Sequence, residues 1–145
     1  MNEELLAEEL TCDEGRRLKL YKDSNGIWSI GIGRNLQDKG ISESEMMFLL
    51  KNDIAEHIGL LDKYLPWWRK MDEVRQRVIA NMGFNLGIGP SPEHPKGKLL
   101  EFKNTLAAME RGDYDAAANG MSASAWAKQV GIRATRLVQM MRSGN

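Results

Sequence analysis

The stretch CDEGRRLKLYKDSNGIWSIGIG, residues 12–33, decides how this chain is read. Glu14 stands before a glycine, where a helix ends. Asp23 follows nine residues later and Ser29 six after that, with Asn25-Gly26 between them. Leu18 and Leu20 alternate with Arg17, Lys19 and Tyr21, and Ile27 to Ile32 supplies a return strand. The spacing predicts a β-hairpin turning at Asn25-Gly26, a pair in which both residues tolerate positive φ. Gly31 and Gly33 have no side chain to pack, which marks a bend or a close approach by ligand or backbone.

Upstream, Leu5, Leu6 and Leu10 share a face at helical spacing, so residues 3–13 read as an amphipathic helix stopped by Gly15. Downstream, Ser42-Glu43-Ser44-Glu45 is a capping box opening a long helix. Its apolar seam runs Met46, Leu49, Leu50, Ile54, Ile58, Leu61 and ends near Pro66. A helix of ~20 residues spans about 30 Å, enough to connect two lobes. Further helices are predicted at 72–86, with Asp72 as N-cap and Gly87 past the end, and at 98–111, 113–119, 123–129 and 132–142. The expected class is α+β, mostly α. A small N-terminal lobe (about 12–50) carries the hairpin, and a long helix leads to an all-helical C-terminal lobe (about 65–145, with the N-terminal helix). A cleft between two lobes is where a substrate is expected.

Composition narrows the classes. The 145 residues have the length of one domain, 42% hydrophobic and 28% charged, as in globular chains. Lys plus Arg equals Asp plus Glu, 20 each, so the broad basic excess of a nucleic-acid binder is missing. Cys12 is the single cysteine, which rules out an internal disulfide; it reads as a small, partly buried hydrophobe. His57 and His94 are far apart with no carboxylate at ligand spacing, so no metal or cofactor is expected. The methionine pairs Met46-Met47 and Met140-Met141 read as core filler, and Trp67-Trp68 as packing at a helix junction rather than a sugar platform. MNEELLAEEL has neither a basic n-region nor an apolar h-region, and no run is long enough to span a membrane. The expectation is synthesis in a cytoplasm with no membrane anchor, and release by some other agent.

A carboxyl group at a helix C-terminus meets the negative end of the macrodipole, which disfavours ionisation, and burial beneath a hairpin acts in the same direction. A general acid working near neutral pH needs that bias. A second carboxylate on an exposed turn stays ionised. Two carboxyl groups held in opposite protonation states are the arrangement of glycoside hydrolysis, and a hydroxyl at Ser29 is placed to hold a water beside Asp23. On spacing alone the same residues also fit a plain helix end and an ordinary turn aspartate.

Asp13-Glu14-Gly15, followed by Leu18, Tyr21, Asp23, Gly26 and Ser29-Ile30-Gly31-Ile32-Gly33, resembles the active-site motif of the phage-type lysozymes, the muramidases of glycoside hydrolase family twenty-four. In that family a glutamate, eight residues, an aspartate or cysteine, five residues and a threonine recur; here they are Glu14, Asp23 and Ser29. Residues 72–87, Phe102 to Leu106, Trp126 and Arg133 to Arg136 continue the likeness over nearly the whole chain, with a shorter segment between Gly33 and Ser42. The resemblance implies a lysozyme-like two-lobe fold. It also implies an endolysin that cleaves the β-1,4 bond between N-acetylmuramic acid and N-acetylglucosamine in peptidoglycan. Glu14 would protonate the leaving oxygen, while Asp23 and Ser29 would position water. Phe84, Thr105, Asn85, Asn35 and Asn119 match saccharide-binding places. Arg133 matches an arginine that reaches the catalytic glutamate. Arg34 replaces a histidine that pairs with an aspartate, here Asp53, so an Arg34–Asp53 ion pair is expected. A monomer released through a holin-type pore to act on the host cell wall follows from the same resemblance. A lytic transglycosylase and a non-catalytic peptidoglycan-binding protein are the competing readings, and an intact Asp23 beside Glu14 speaks against both.

Overall fold

The computed structural model describes residues 1–95 and 97–145. By its internal contacts the chain divides into two units, Met1–Leu50 and Lys51–Asn145. Helix α2 (Glu43–Tyr64) spans the boundary between the two residue ranges, and α1 (Glu3–Glu14) belongs to the first. The zero net charge is divided as well. Residues 1–50 hold 6 Lys and Arg against 10 Asp and Glu, and residues 51–145 hold 14 against 10, giving −4 and +4.

In the first unit, Asn2 caps α1 by accepting the Leu5 N–H on its side-chain oxygen at 3.1 Å. Gly15 ends the helix at φ 74°, its N–H donating to the Thr11 carbonyl at 3.1 Å. Strands β1 (Arg17–Lys22), β2 (Trp28–Gly31) and β3 (Arg34–Asn35) form an antiparallel sheet in the order β1-β2-β3. Tyr21 lies opposite Ser29, and Ser29 opposite Asn35, with an irregularity in β1 between Arg17 and Tyr21. Three expectations change here. The hairpin turn is not a two-residue loop with both residues at positive φ. Gly26 donates to the Asp23 carbonyl at 3.0 Å, and only Gly26 (φ 77°) has positive φ, so the loop is a turn over Ser24-Asn25 closed by a glycine bulge. The sheet has a third strand. The Leu18 and Leu20 side chains are both exposed, so the alternation in β1 does not define a buried face.

The capping box forms as read: Ser42 Oγ accepts the Glu45 N–H at 3.2 Å, and Glu45 Oε2 accepts the Ser42 N–H at 2.7 Å. Of the seam expected on α2, Leu61 alone is buried; Ile58 is half-buried, and Met46, Leu49, Leu50 and Ile54 are exposed. The buried apolar cluster begins at Leu61 and lies in the second unit. Met46 and Met47 are therefore surface residues, whereas Met141 is fully buried as core.

In the second unit the central helix α3 (Glu73–Leu86) starts at Asp72, whose Oδ1 accepts the Arg75 N–H at 3.1 Å. It buries Val78, Ile79 and Met82. The predicted helix 98–111 is two pieces, a 3-10 turn at Leu99–Glu101 and α4 (Lys103–Glu110), broken at Phe102. Helices α5 (Tyr114–Ala123), α6 (Ala125–Val130) and α7 (Ile132–Ser143) complete the unit, and α7 packs against α3 and α5. Arg75 ties α3 to the end of α7. Its Nε and Nη2 donate to the Met141 and Arg142 carbonyls at 2.7 and 3.0 Å, and its guanidinium lies 3.8 Å from the Tyr114 ring centre. Trp68 packs in the core at the junction after α2, with its Nε1 donating to Asp62 at 2.8 Å. The adjacent Arg69 and that indole hold the Asp62 carboxyl at about 2. The tryptophan pair is junction packing.

Candidate active site

Glu14 is the last residue of α1, and its carboxyl lies over Gly33. A Cβ on residue 33 would stand 3.0 Å from Glu14 Oε2 and 3.1 Å from its Cδ. Gly33 also has φ 66°, a backbone that favours glycine, and a side chain there would push the Glu14 carboxyl aside by a few tenths of an ångström. The close approach read from the Gly-x-Gly is thus made by the glutamate side chain itself. Glu14 is exposed, so the burial expected for it beneath the hairpin is not found.

Asp23 holds the hairpin loop. Its Oδ1 accepts the N–H groups of Asn25 and Ile27 at 2.8 and 2.9 Å, while its own N–H donates to the Ile27 carbonyl at 2.9 Å. That is the side-chain turn for which Asp is chosen, and it anchors Oδ1. Oδ2 has no hydrogen-bond partner among the described residues. Ser29, only 3% exposed, points its Oγ at the Ile27 carbonyl at 3.3 Å. Asp23 and Ser29 therefore both bond to one residue, Ile27, whose carbonyl accepts from the Asp23 N–H and from Ser29 Oγ.

Arg34 does not pair with Asp53. Its Nη1 and Nη2 donate to Glu45 at 3.0 and 2.5 Å, and Nη1 also reaches the Gly40 carbonyl at 3.2 Å. The fork matches the carboxylate in bidentate fashion, and Glu45 already lies close by because it caps α2. The Arg34 guanidinium, then the Ser42 N–H, lower the Glu45 carboxyl from 4.5 to about 2. Sequence reading had used Glu45 only as a capping residue.

The remaining candidates have distinct surroundings. Asn35 is committed to Asp38 by both ends of its amide, at 2.9 Å each. Phe84 is 42% exposed near the end of α3, with the His57 ring tilted against it at 4.9 Å between centres. Asn85 Oδ1 accepts the Trp126 indole N–H at 2.8 Å, which leaves its NH2 as a donor. Thr105 is buried against Gly120, where a Cβ would collide with its hydroxyl. Asn119 Oδ1 accepts from Arg142 at 2.8 Å. Arg133 donates from Nε and Nη2 to Asn81 Oδ1 at 2.9 and 2.7 Å, a partner that sequence reading missed. Cys12 is exposed rather than partly buried. Among the described residues no group of side chains is placed to hold a metal ion, and no helix is long and apolar enough to cross a membrane.

Comparison with known proteins gives this arrangement its context. The family described as phage lysozyme matches residues 12–142, a span that takes in Glu14, Asp23 and Ser29. The chain belongs to the phage lysozyme family. It is 28% identical to the pre-baseplate central spike protein Gp5 of Enterobacteria phage T4 over 97% of its own length, but spans only 28% of that protein. It is 25% and 24% identical to probable T4-type lysozymes 1 and 2 of Dictyostelium discoideum, covering 92% and 94% of their lengths.

Proposed function

We propose that this phage lysozyme family member is an endolysin, a glycosidase that hydrolyses the β-1,4 bond between N-acetylmuramic acid and N-acetylglucosamine of bacterial peptidoglycan. Glu14 donates its proton to the leaving glycosidic oxygen. Asp23 Oδ2 accepts a proton from the attacking water, which the Ser29 hydroxyl helps to hold. Water adds to the anomeric carbon as the bond to the leaving oxygen breaks, so the two products together gain one water. The observation that carries the reading is the pairing of Glu14 with Gly33, a glycine whose missing side chain leaves room for the glutamate carboxyl beside the hairpin. The division of labour in Asp23 supports it, since one oxygen builds the loop and the other has no partner among the described residues. Phe84, Asn85 and Asn119 are exposed and supply the glycan contacts. On this reading the protein works as a monomer, made in the host cytoplasm and reaching the wall through a holin-type pore.

Clearing of a suspension of purified cell walls tests this directly. Glu14→Gln keeps the shape and removes the transferable proton, so the rate is expected to fall by about 10²–10⁴. Clearing by that variant within a few-fold of the parent would overturn the assignment. Mass spectrometry of the products is expected to show a hydrated reducing end; an anhydro sugar would make the enzyme a transglycosylase.

A further inference from the structure

The aromatic pair His57–Phe84 has no role in the core. His57 lies on α2 and Phe84 near the end of α3, and the buried cluster includes neither. Their ring centres are 4.9 Å apart and the planes are tilted by 34°, so the imidazole packs against the phenyl ring as a tilted aromatic pair. The imidazole is itself held, because Nδ1 lies 2.7 Å from the carbonyl of Asp53, one helical turn back. A carbonyl can only accept, so Nδ1 carries the proton and the ring orientation is fixed. Phe84 nonetheless keeps 42% of its surface in water. A large apolar ring held from one side and left open is poor packing but a rigid platform.

We propose that His57 is a positioning residue that presents Phe84 as a stacking surface for a pyranose ring of the glycan strand; this rests on the glycosidase reading above. A sugar ring has a face of C–H groups, and an aromatic ring fixed in advance meets that face without losing rotamer freedom on binding. The backbone carbonyl fixes His57, His57 fixes Phe84, and Phe84 meets the substrate.

Two measurements test the inference. On soluble, uncross-linked glycan strands, His57→Ala is expected to raise KM about two- to tenfold, the loss that corresponds to freeing one side chain before binding. Its kcat is expected to stay near the parent's, because Glu14 and Asp23 are untouched. His57→Phe keeps a ring on Phe84 and is expected to restore most of the affinity. His57→Asn, with a donor but no ring, is not. Chitotetraose titrated into the parent is expected to shift the Phe84 ring resonances, and His57→Ala to weaken that binding by the same factor. Parent-like KM and chitotetraose affinity in His57→Ala would overturn the inference, as would failure of His57→Phe to exceed His57→Asn. The binding arm needs no turnover. Parent walls left intact while chitotetraose still binds through His57 and Phe84 would sink the hydrolase reading alone.

Discussion

Arg34 and Glu45 close the exit of the sheet onto the start of α2: two guanidinium N–H groups meet one carboxylate at 3.0 and 2.5 Å. The same carboxylate caps the helix through the Ser42 N–H. Because the folded-state value for Glu45 is depressed to about 2, its contribution is fully present above the ordinary value of 4.5 and is lost as pH falls through about 2. Arg34→Gln is expected to flatten the acid side of the stability curve between those limits and leave the neutral-to-alkaline side unchanged. Denaturant titrations at a series of pH values read this, and equal acid slopes in parent and variant would refute it. Both side chains are about one-third exposed, so the effect at neutral pH is expected to be small.

Gly33 and Gly31 offer a controlled pair. Both have positive φ, 66° and 71°, so alanine at either is expected to cost about 1–2 kcal/mol of stability. Only at Gly33 does the new Cβ meet the Glu14 carboxyl; at Gly31 nothing lies within 4 Å. Gly33→Ala is therefore expected to lose far more lytic activity than Gly31→Ala at equal loss of melting temperature. Matching activity losses would mean that the space over Gly33 has no bearing on Glu14.

Asp23 has a structural oxygen and a chemical one, and two substitutions separate them. Asp23→Asn keeps an acceptor for the Asn25 and Ile27 N–H groups, so the fold is expected to hold while wall lysis falls severely. Asp23→Ala leaves both N–H groups without that partner and is expected to cost about 1–3 kcal/mol in addition. Ser29→Ala removes a long 3.3 Å bond, so stability is expected to change little and activity much. Ser29→Thr restores the hydroxyl and is expected to retain more activity than the alanine variant. Thermal melts beside turbidity assays decide each case.

Two helical glycines are expected to respond with opposite signs. Gly59 on α2 is exposed and a Cβ there meets nothing within 4 Å, so Gly59→Ala is expected to stabilise by about 0.5–1 kcal/mol through helix propensity. Gly83 on α3 is buried, and its Cβ would lie 2.5 Å from Ile88 Cδ1 and 2.8 Å from Cγ1. Overpacking of about 1–3 kcal/mol outweighs the same propensity gain there. Ile88→Ala is expected to relieve the clash, giving a favourable coupling in a double-mutant cycle. Additive effects of the two substitutions would exclude it.

What the sequence made legible were features whose physics is local. The capping box at Ser42 and Glu45, the N-cap at Asp72 and the glycine stop after Glu14 each depend on three or four adjacent residues, and each formed. Strand β3 is two residues long and has no periodicity to read. The break at Phe102 sits in a run that continues the helical pattern through it. Glu45 reads in the sequence as a capping residue only, yet a carboxylate has lone pairs for both the cap and Arg34. Net charge summed to zero because two opposite values cancelled across the two units. At the candidate site, the motif gave the residues but not the reason for Gly33, which shows only when the Glu14 carboxyl is seen above it.

Cys12, the only thiol in the chain, is exposed on the last turn of α1, two residues before Glu14. Two residues on an α-helix turn through about 200°, so the sulfur and the glutamate carboxylate leave the helix on nearly opposite sides. Maleimide or nitroxide reagents therefore have one point of attachment, at fixed stoichiometry and without mutagenesis. A probe there rides on the helix that carries Glu14 and reports its surroundings without occupying the place of the carboxylate.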